Sequence, residues 1–285
     1  MTSTLLPRLD AHTFGPWAVI TGASSGIGRA IARHVAASGI GVVLVARRED
    51  QLRRVGEDIA RDFSVGYRIV TADLTRPEFF ARLEAATREL EIGLVVGNAG
   101  FASPGEFLTI DREELLRAVR IKVDANLVLV HHFGKQLAAR GRGGILLISS
   151  IGGLAGVPYV ANTAGVEAYV LNLGEGLHVE LARHGVHLTV LMPGPTLTES
   201  MAKMGVDPSE MPMKPMTAER CAAEGIAALA VNRPRHVAGR INRWMAKLMP
   251  RSVATSMMGA MIGKKFARQA LAASAGDGEG GRGES

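Results

Sequence analysis

The stretch Trp17-Ala18-Val19-Ile20-Thr21-Gly22-Ala23-Ser24-Ser25-Gly26-Ile27-Gly28 decides the fold. Its first five residues are apolar or β-branched without alternation, the pattern of a strand covered on both faces. Three glycines then punctuate the chain, and an amphipathic pattern with helical period runs on from about residue 26 to 38. A strand that turns through glycines into a helix aims the helix's unpaired N–H groups at one point, and lets an anion approach the backbone there. Gly22, Ser24, Ser25, Gly26, Ile27 and Gly28 are therefore candidate ligands of a dinucleotide's phosphates.

The same alternation continues outward. Short apolar runs lie at 17–21, 41–46, 67–72, 93–97, 144–149 and 186–192, and longer amphipathic stretches at about 50–62, 76–90, 111–140 and 160–184. Strand and helix in strict alternation predict right-handed crossovers and a doubly wound parallel α/β sheet, a Rossmann fold, in a single domain. The expected division is an N-terminal extension at 1–13, a dinucleotide-binding domain at 14–240 with a substrate lid at 195–216, C-terminal helices at 241–270 and a disordered Gly-rich tail at 271–285. Eleven of the twelve methionines lie at or beyond Met192. Met is flexible and polarizable, which suits either an adaptable apolar lid or the filling of gaps between helices.

Composition excludes several classes. Among 285 residues, 33 Lys+Arg face 27 Asp+Glu, a net charge of +6 that reads as spread along the chain and as a weak sign of nucleic acid. A single cysteine, Cys221, cannot form an internal disulfide, and no Cys/His spacing suits a metal. The start lacks a leader pattern and no run of eighteen apolar residues occurs, so a cytoplasmic protein is expected. The segment Asn242 to Ala267 mixes Trp244, Leu248 and Ile262 with Arg243, Lys247, Arg251 and Lys264. It has the makings of a membrane-surface helix, but Pro250 interrupts it, and packing on the domain or across a dimer is the favoured expectation.

Five elements in register resemble the short-chain dehydrogenase/reductase family over about residues 14 to 250. Thr21 to Gly28 is similar to its Thr-Gly-x-x-x-Gly-x-Gly turn. Asp73-Leu74 matches the position that contacts adenine, and Asn98-Ala99-Gly100 its element after the fourth strand, preceded here by Gly97 where Asn is commoner. Ser149-Ser150 ends the fifth strand, and Pro193-Gly194 with Thr198 matches the segment that borders the nicotinamide. The resemblance implies a nicotinamide cofactor bound by these residues, and assembly into a homodimer or homotetramer through the long helices. The second strand ends Ala46-Arg47-Arg48 with no acid for a ribose 2′-OH, which favours a 2′-phosphate and hence NADP(H) over NAD(H). Arg47 is the nearer candidate because NADP-preferring members carry the basic residue there.

The family's catalytic groups are where the resemblance stops. Its members use a tyrosine as acid or base, a lysine four residues on that lowers the phenol's pKa, a serine thirteen residues before the tyrosine, and an asparagine on the preceding helix. Counted from Ser150, the tyrosine position is Thr163 and the lysine position Glu167; the asparagine position is Lys122. A phenol works near neutrality only beside a positive charge, and Glu167 would raise its pKa. Of the three tyrosines only Tyr159, nine residues after Ser150, belongs to the loop over the site.

The positive charge has thus crossed the site while a carboxylate took its place. Lys122 and Glu167 are expected to form a partly buried ion pair, with Ser150 and Thr163 as neighbouring hydroxyls. Three functions remain open. One is an NADP(H)-binding enzyme doing cyclisation, isomerisation or elimination on a bulky apolar small molecule; the others are an atypical NADPH-dependent carbonyl reductase and a catalytically silent partner subunit.

Overall fold

The computed structural model describes residues 8–203, 211, 214–260 and 262–263. The continuous apolar runs become strands, largely buried except at the edge strand β3, where only Val70 is buried: β1 (Trp17–Thr21), β2 (Gly41–Ala46), β3 (Tyr67–Thr71), β4 (Ile92–Gly97), β5 (Gly143–Ile148) and β6 (Val186–Met192). These bounds lie within one residue of the apolar runs. A seventh strand, β9 (Arg235–Val237), completes the sheet; its three residues are too few to show a pattern in sequence. All pairings are parallel, in the order β3-β2-β1-β4-β5-β6-β9. Between β6 and β9, the two-residue strands β7 (Thr196–Leu197) and β8 (Met216–Thr217) pair with each other.

Helices cover both faces. A single turn, α1 (Ala11–Phe14), precedes β1; then come α2 (Gly26–Ala36), α3 (Glu49–Phe63), α4 (Glu78–Thr87), α5 (Arg112–Val119), α6 (Ala125–Arg140), α7 (Ala161–Ala182), α8 (Glu199–Lys203), α9 (Ala218–Ala230) and α10 (Arg240–Leu248). Residues 251–260 are helical as well. The segment expected to be one helix at 111–140 is broken: five residues, Arg120–Asp124, form a π-helical turn between α5 and α6. Such a turn widens the helix and re-aims a side chain, here Lys122 at its centre.

The core has two sides. Val42, Leu44, Ile20, Leu94, Leu146 and their neighbours pack against α2, α3 and α9 on one, while Val19, Val43 and Val95 meet α4 and Phe133 of α6 on the other. Leu9 and Phe14 are buried in the first cluster, so the stretch expected to be an extension joins the core from residue 9. The methionines divide. Met192 and Met201 are buried and Met216 is partly so, the gap-filling use, whereas Met257 is exposed. Nine residues of the expected lid, 204–210, 212 and 213, and the tail at 271–285 lie outside the described residues.

Candidate active site

The strand order reverses beside β1: α2 leads from β1 to β2 on one flank, and β4 lies on the other. Ligands of open α/β sheets sit at this switch point, beyond the carboxyl ends of the strands. Three loops meet there.

The first is Gly22–Gly28. Gly22 has φ +66°, and a Cβ on it would collide with Asn98 Nδ2. The Asn98 amide donates to the Thr21 carbonyl at 2.9 Å and the Gly22 carbonyl at 3.3 Å, while Thr21 Oγ1 accepts from the Asn98 and Ala99 N–H groups at 2.9 and 3.2 Å. The turn after β1 and the Asn98-Ala99-Gly100 loop after β4 are thereby one rigid unit. Thr198, from the third loop, sets its methyl against Gly26. The side chain of Arg48 donates to Ser24 Oγ and Ser25 Oγ at 3.2 Å each, and to Glu199 Oε2 at 2.8 Å. A glycine cradle at a helix N-terminus, with a guanidinium across its mouth, is a donor set that fits a phosphorylated dinucleotide.

Two cofactor candidates have local partners. Asp73 Oδ1 accepts from Thr75 N and Thr75 Oγ1 at 3.0 and 2.8 Å, closing its own turn beside Leu74. Burial pushes its carboxyl up, but the Thr75 hydrogen bonds with Arg47 and Arg117 outweigh that and leave it below its ordinary value. Arg47 thus stands in the field of Asp73 while Arg48 lies over the Gly-rich turn. Pro193 and Gly194 follow β6, and Asn242 of α10 lies directly against Gly194.

Beneath these loops is the charged pair. Lys122 Nζ lies 3.2 Å from Glu167 Oε1, with side chains 5% and 12% exposed. The ammonium also donates to the Ile148 carbonyl at 2.6 Å, at the end of β5. Glu167 Oε2 is buried and accepts no hydrogen bond from the described residues. Burial raises the Glu167 carboxyl above its ordinary value, and Lys122 and Ser149 offset that only in part.

Of the hydroxyls, Ser149 Oγ donates to the backbone carbonyl of Glu167 at 2.9 Å. Ser150 Oγ accepts from Gly152 N at 3.1 Å, capping the short 3-10 turn Ile151–Leu154. Thr163 Oγ1 accepts from Ser103 N at 3.4 Å and pins the loop after β4 to α7. Tyr159 sits in the loop before α7 with φ +66°, its carbonyl accepting from Gly105 N at 2.8 Å. Ser149, Ser103 and Asn126 are not among the site residues expected from sequence. The Asn126 amide donates to the Lys122 carbonyl at 2.7 Å and so holds the π-turn that presents the lysine. A polar residue one turn beyond Lys122 was the available signal.

The family profile described as short chain dehydrogenase matches residues 16–208. The chain belongs to this family. Among curated relatives, a 7beta-hydroxysteroid dehydrogenase of Mediterraneibacter gnavus is 29% identical over 188 residues, 66% of this chain and 72% of that protein. The protein named inactive hydroxysteroid dehydrogenase-like protein 1 of Pongo abelii is 30% identical over 196 residues, 66% of this chain and 59% of that protein. Among solved structures, a short-chain dehydrogenase from Sphingobium yanoikuyae in complex with NADPH superposes with a TM-score of 0.74 at 27% identity, covering 90% of this chain and 95% of that one. The Gly22–Gly28 turn, the Asn98-Ala99-Gly100 element and the parallel strand order are all in place around the Lys122–Glu167 pair.

Among the described residues no group of three His, Cys, Asp or Glu is placed to hold a metal, and no helix is long and apolar enough to cross a membrane. Cys221 is buried and its thiol pushed up to about 12, mainly by burial, so it is no nucleophile.

Proposed function

We propose that this chain is an NADP(H)-binding enzyme that moves a proton on a bulky apolar cyclic ketone, using Glu167 with Lys122 in place of the family's phenol and lysine. One observation carries the reading. Glu167 is a buried carboxylate beside a buried ammonium, with a raised pKa and one oxygen lacking a donor. An unfilled buried acceptor costs about 1–3 kcal/mol, and groups shifted in this way gather where chemistry is done.

NADP(H), when bound, supplies hydride chemistry to this family. Thr163 has no acidity to assist that step here, and Glu167 opposes a phenol rather than activating one. The chain's own residues suit another task. Ionised Glu167 takes a proton from the carbon next to the substrate's carbonyl, the C–H electron pair becomes the C=C of an enolate, and the acid returns the proton at the same or a conjugated carbon. Lys122 is the fixed positive charge that offsets the enolate. Arg47 or Arg48 takes the cofactor's 2′-phosphate, and the cofactor serves as a wall of the pocket. The steroid names of the relatives point to a rigid polycyclic ketone as substrate. Exposed Leu127 on α6 and Val179 on α7 suit the assembly of a homodimer or homotetramer, and a cytoplasmic location goes with this reading.

The test is exchange in D2O. With NADP(H) bound, the protein should catalyse deuterium incorporation next to the carbonyl of a polycyclic ketone, read by mass spectrometry, and Glu167→Gln should abolish it while retaining NADPH binding. The same incorporation by wild type and Glu167→Gln would overturn the role of Glu167. No exchange by either, with a folded, cofactor-bound protein, would favour the second reading, a silent binding subunit, which the name of the Pongo abelii relative supports.

A further inference from the structure

The positive charge is not spread along the chain. Residues 225–276 carry nine Lys and Arg and no Asp or Glu, so the remainder of the chain is net negative, with 24 basic against 27 acidic residues. Helix α10 lies in this acid-free quarter and buries none of its residues fully. Ile241, Trp244 and Leu248, at helical spacing on one face, are 62%, 66% and 60% exposed. Val253 and Met257, one turn apart, extend the apolar surface beyond Pro250. Arg240, Lys247 and Arg251 are exposed alongside.

The opposite side of the segment is already occupied. Asn242 lies against Gly194, Gly259 against Pro158, and Gly263 against the Tyr159 ring. Arg243 is held by Glu224 at 2.8 Å. The segment therefore packs on the domain, as expected, but by its polar and small residues, and it leaves its Trp and aliphatic side chains outward over the mouth of the site.

We infer that this outer face docks on an anionic lipid surface. A Trp, Ile, Leu stripe flanked by Arg and Lys, on a helix too short to span, is the pattern of a helix that lies in the headgroup plane. Charge complementarity selects among occupants. A second copy packed antiparallel about a two-fold axis would set the basic flank from Arg240 to Arg251 against the same flank reversed, basic against basic. A nucleic acid would take the charge but leave the exposed Trp244 and Leu248 without a partner. Lipid satisfies both halves of the face, and it sets the Tyr159 loop beside the phase in which apolar molecules dissolve. Docking does not depend on what chemistry Glu167 performs.

The experiment is sedimentation of the full chain with phosphatidylcholine vesicles, with and without phosphatidylserine. Co-sedimentation is expected only with the anionic vesicles, falling as salt is raised. Trp244→Ser with Leu248→Ser should abolish it, and Arg240→Gln with Lys247→Gln should weaken it about fivefold per charge removed. These side chains are exposed, and an unchanged circular dichroism spectrum and unchanged NADPH binding would certify the fold. Three results would each overturn the inference: no binding to anionic vesicles, equal binding to neutral ones, or a Trp244→Ser, Leu248→Ser variant that still sediments but changes from dimer to monomer in gel filtration.

Discussion

Asn126 fills the space that a side chain at position 97 would need: a Cβ on Gly97 would run into Asn126 Oδ1. Gly97 ends β4 and Asn126 lies in the first turn of α6, so the two sizes are matched across the floor of the site. The match has a purpose one turn away, because the Asn126 amide holds the Lys122 carbonyl in the π-turn. Gly97→Ala should therefore displace Asn126 and loosen Lys122, costing about 1–3 kcal/mol as other overpacking changes do. Urea denaturation measures it, and adding Asn126→Ala should recover part of the overpacking term.

The Lys122–Glu167 pair should behave as buried pairs do. Removing one member leaves the other charge uncompensated, so Lys122→Met is expected to destabilise by about 3–5 kcal/mol, while the double change Lys122→Met, Glu167→Leu should be much milder. A double-mutant cycle from denaturant midpoints shows the coupling. Additive losses would mean that the two side chains do not act as a pair.

Arg48 is shared between the Gly-rich turn and the substrate side of the cleft, through Ser24, Ser25 and Glu199. A cofactor 2′-phosphate competes with Glu199 for this guanidinium. Glu199→Gln should tighten NADPH binding and Arg48→Ala should weaken it about tenfold, with little effect of either on NADH. Fluorescence titration with both cofactors separates a 2′-phosphate contact from a general change of the turn. If Arg47→Ala has the larger effect, the phosphate lies on the Asp73 side.

Glu224 sets the acid limit of the C-terminal junction. Burial raises its carboxyl, but Gly239 N–H, His236 and Arg243 together outweigh that and bring it down to about 2 from an ordinary 4.5. The folded state thus holds the ionised form more strongly than the unfolded state does. The contribution is complete above about pH 4.5 and is lost as pH falls toward 2. Thermal melts should show Glu224→Gln less stable than wild type at pH 7, with the gap closing between about pH 4.5 and pH 2.

Most of the frame was legible because it rests on local patterns. Continuous apolar runs mark buried parallel strands, and the Gly22–Gly28 turn marks the switch point. The pairing of Lys122 with Glu167 was legible too, since a charge lost at one position and gained across the site implies compensation. What failed depended on three-dimensional matching. Nothing local says that Ser149 Oγ bonds the Glu167 backbone carbonyl while Ser150 Oγ caps the turn Ile151–Leu154. The break of the long helix at Arg120–Asp124 carries no Pro or Gly signal, and the fit of Asn126 to Gly97 joins residues 29 positions apart. The segregation of basic residues into 225–276 shows only over a window of some fifty residues, not between neighbours.

On the proposed function, proton transfer by Glu167 and Lys122 replaces hydride chemistry assisted by a phenol. NADPH absorbance during incubation with polycyclic ketones tests it most directly, comparing wild type with the variant Lys122→Asn, Thr163→Tyr, Glu167→Lys. Both proteins should bind NADPH; wild type should leave it unoxidised and the triple variant should consume it. Ketone-dependent oxidation by wild type, at a rate the triple variant does not exceed, would contradict the claim.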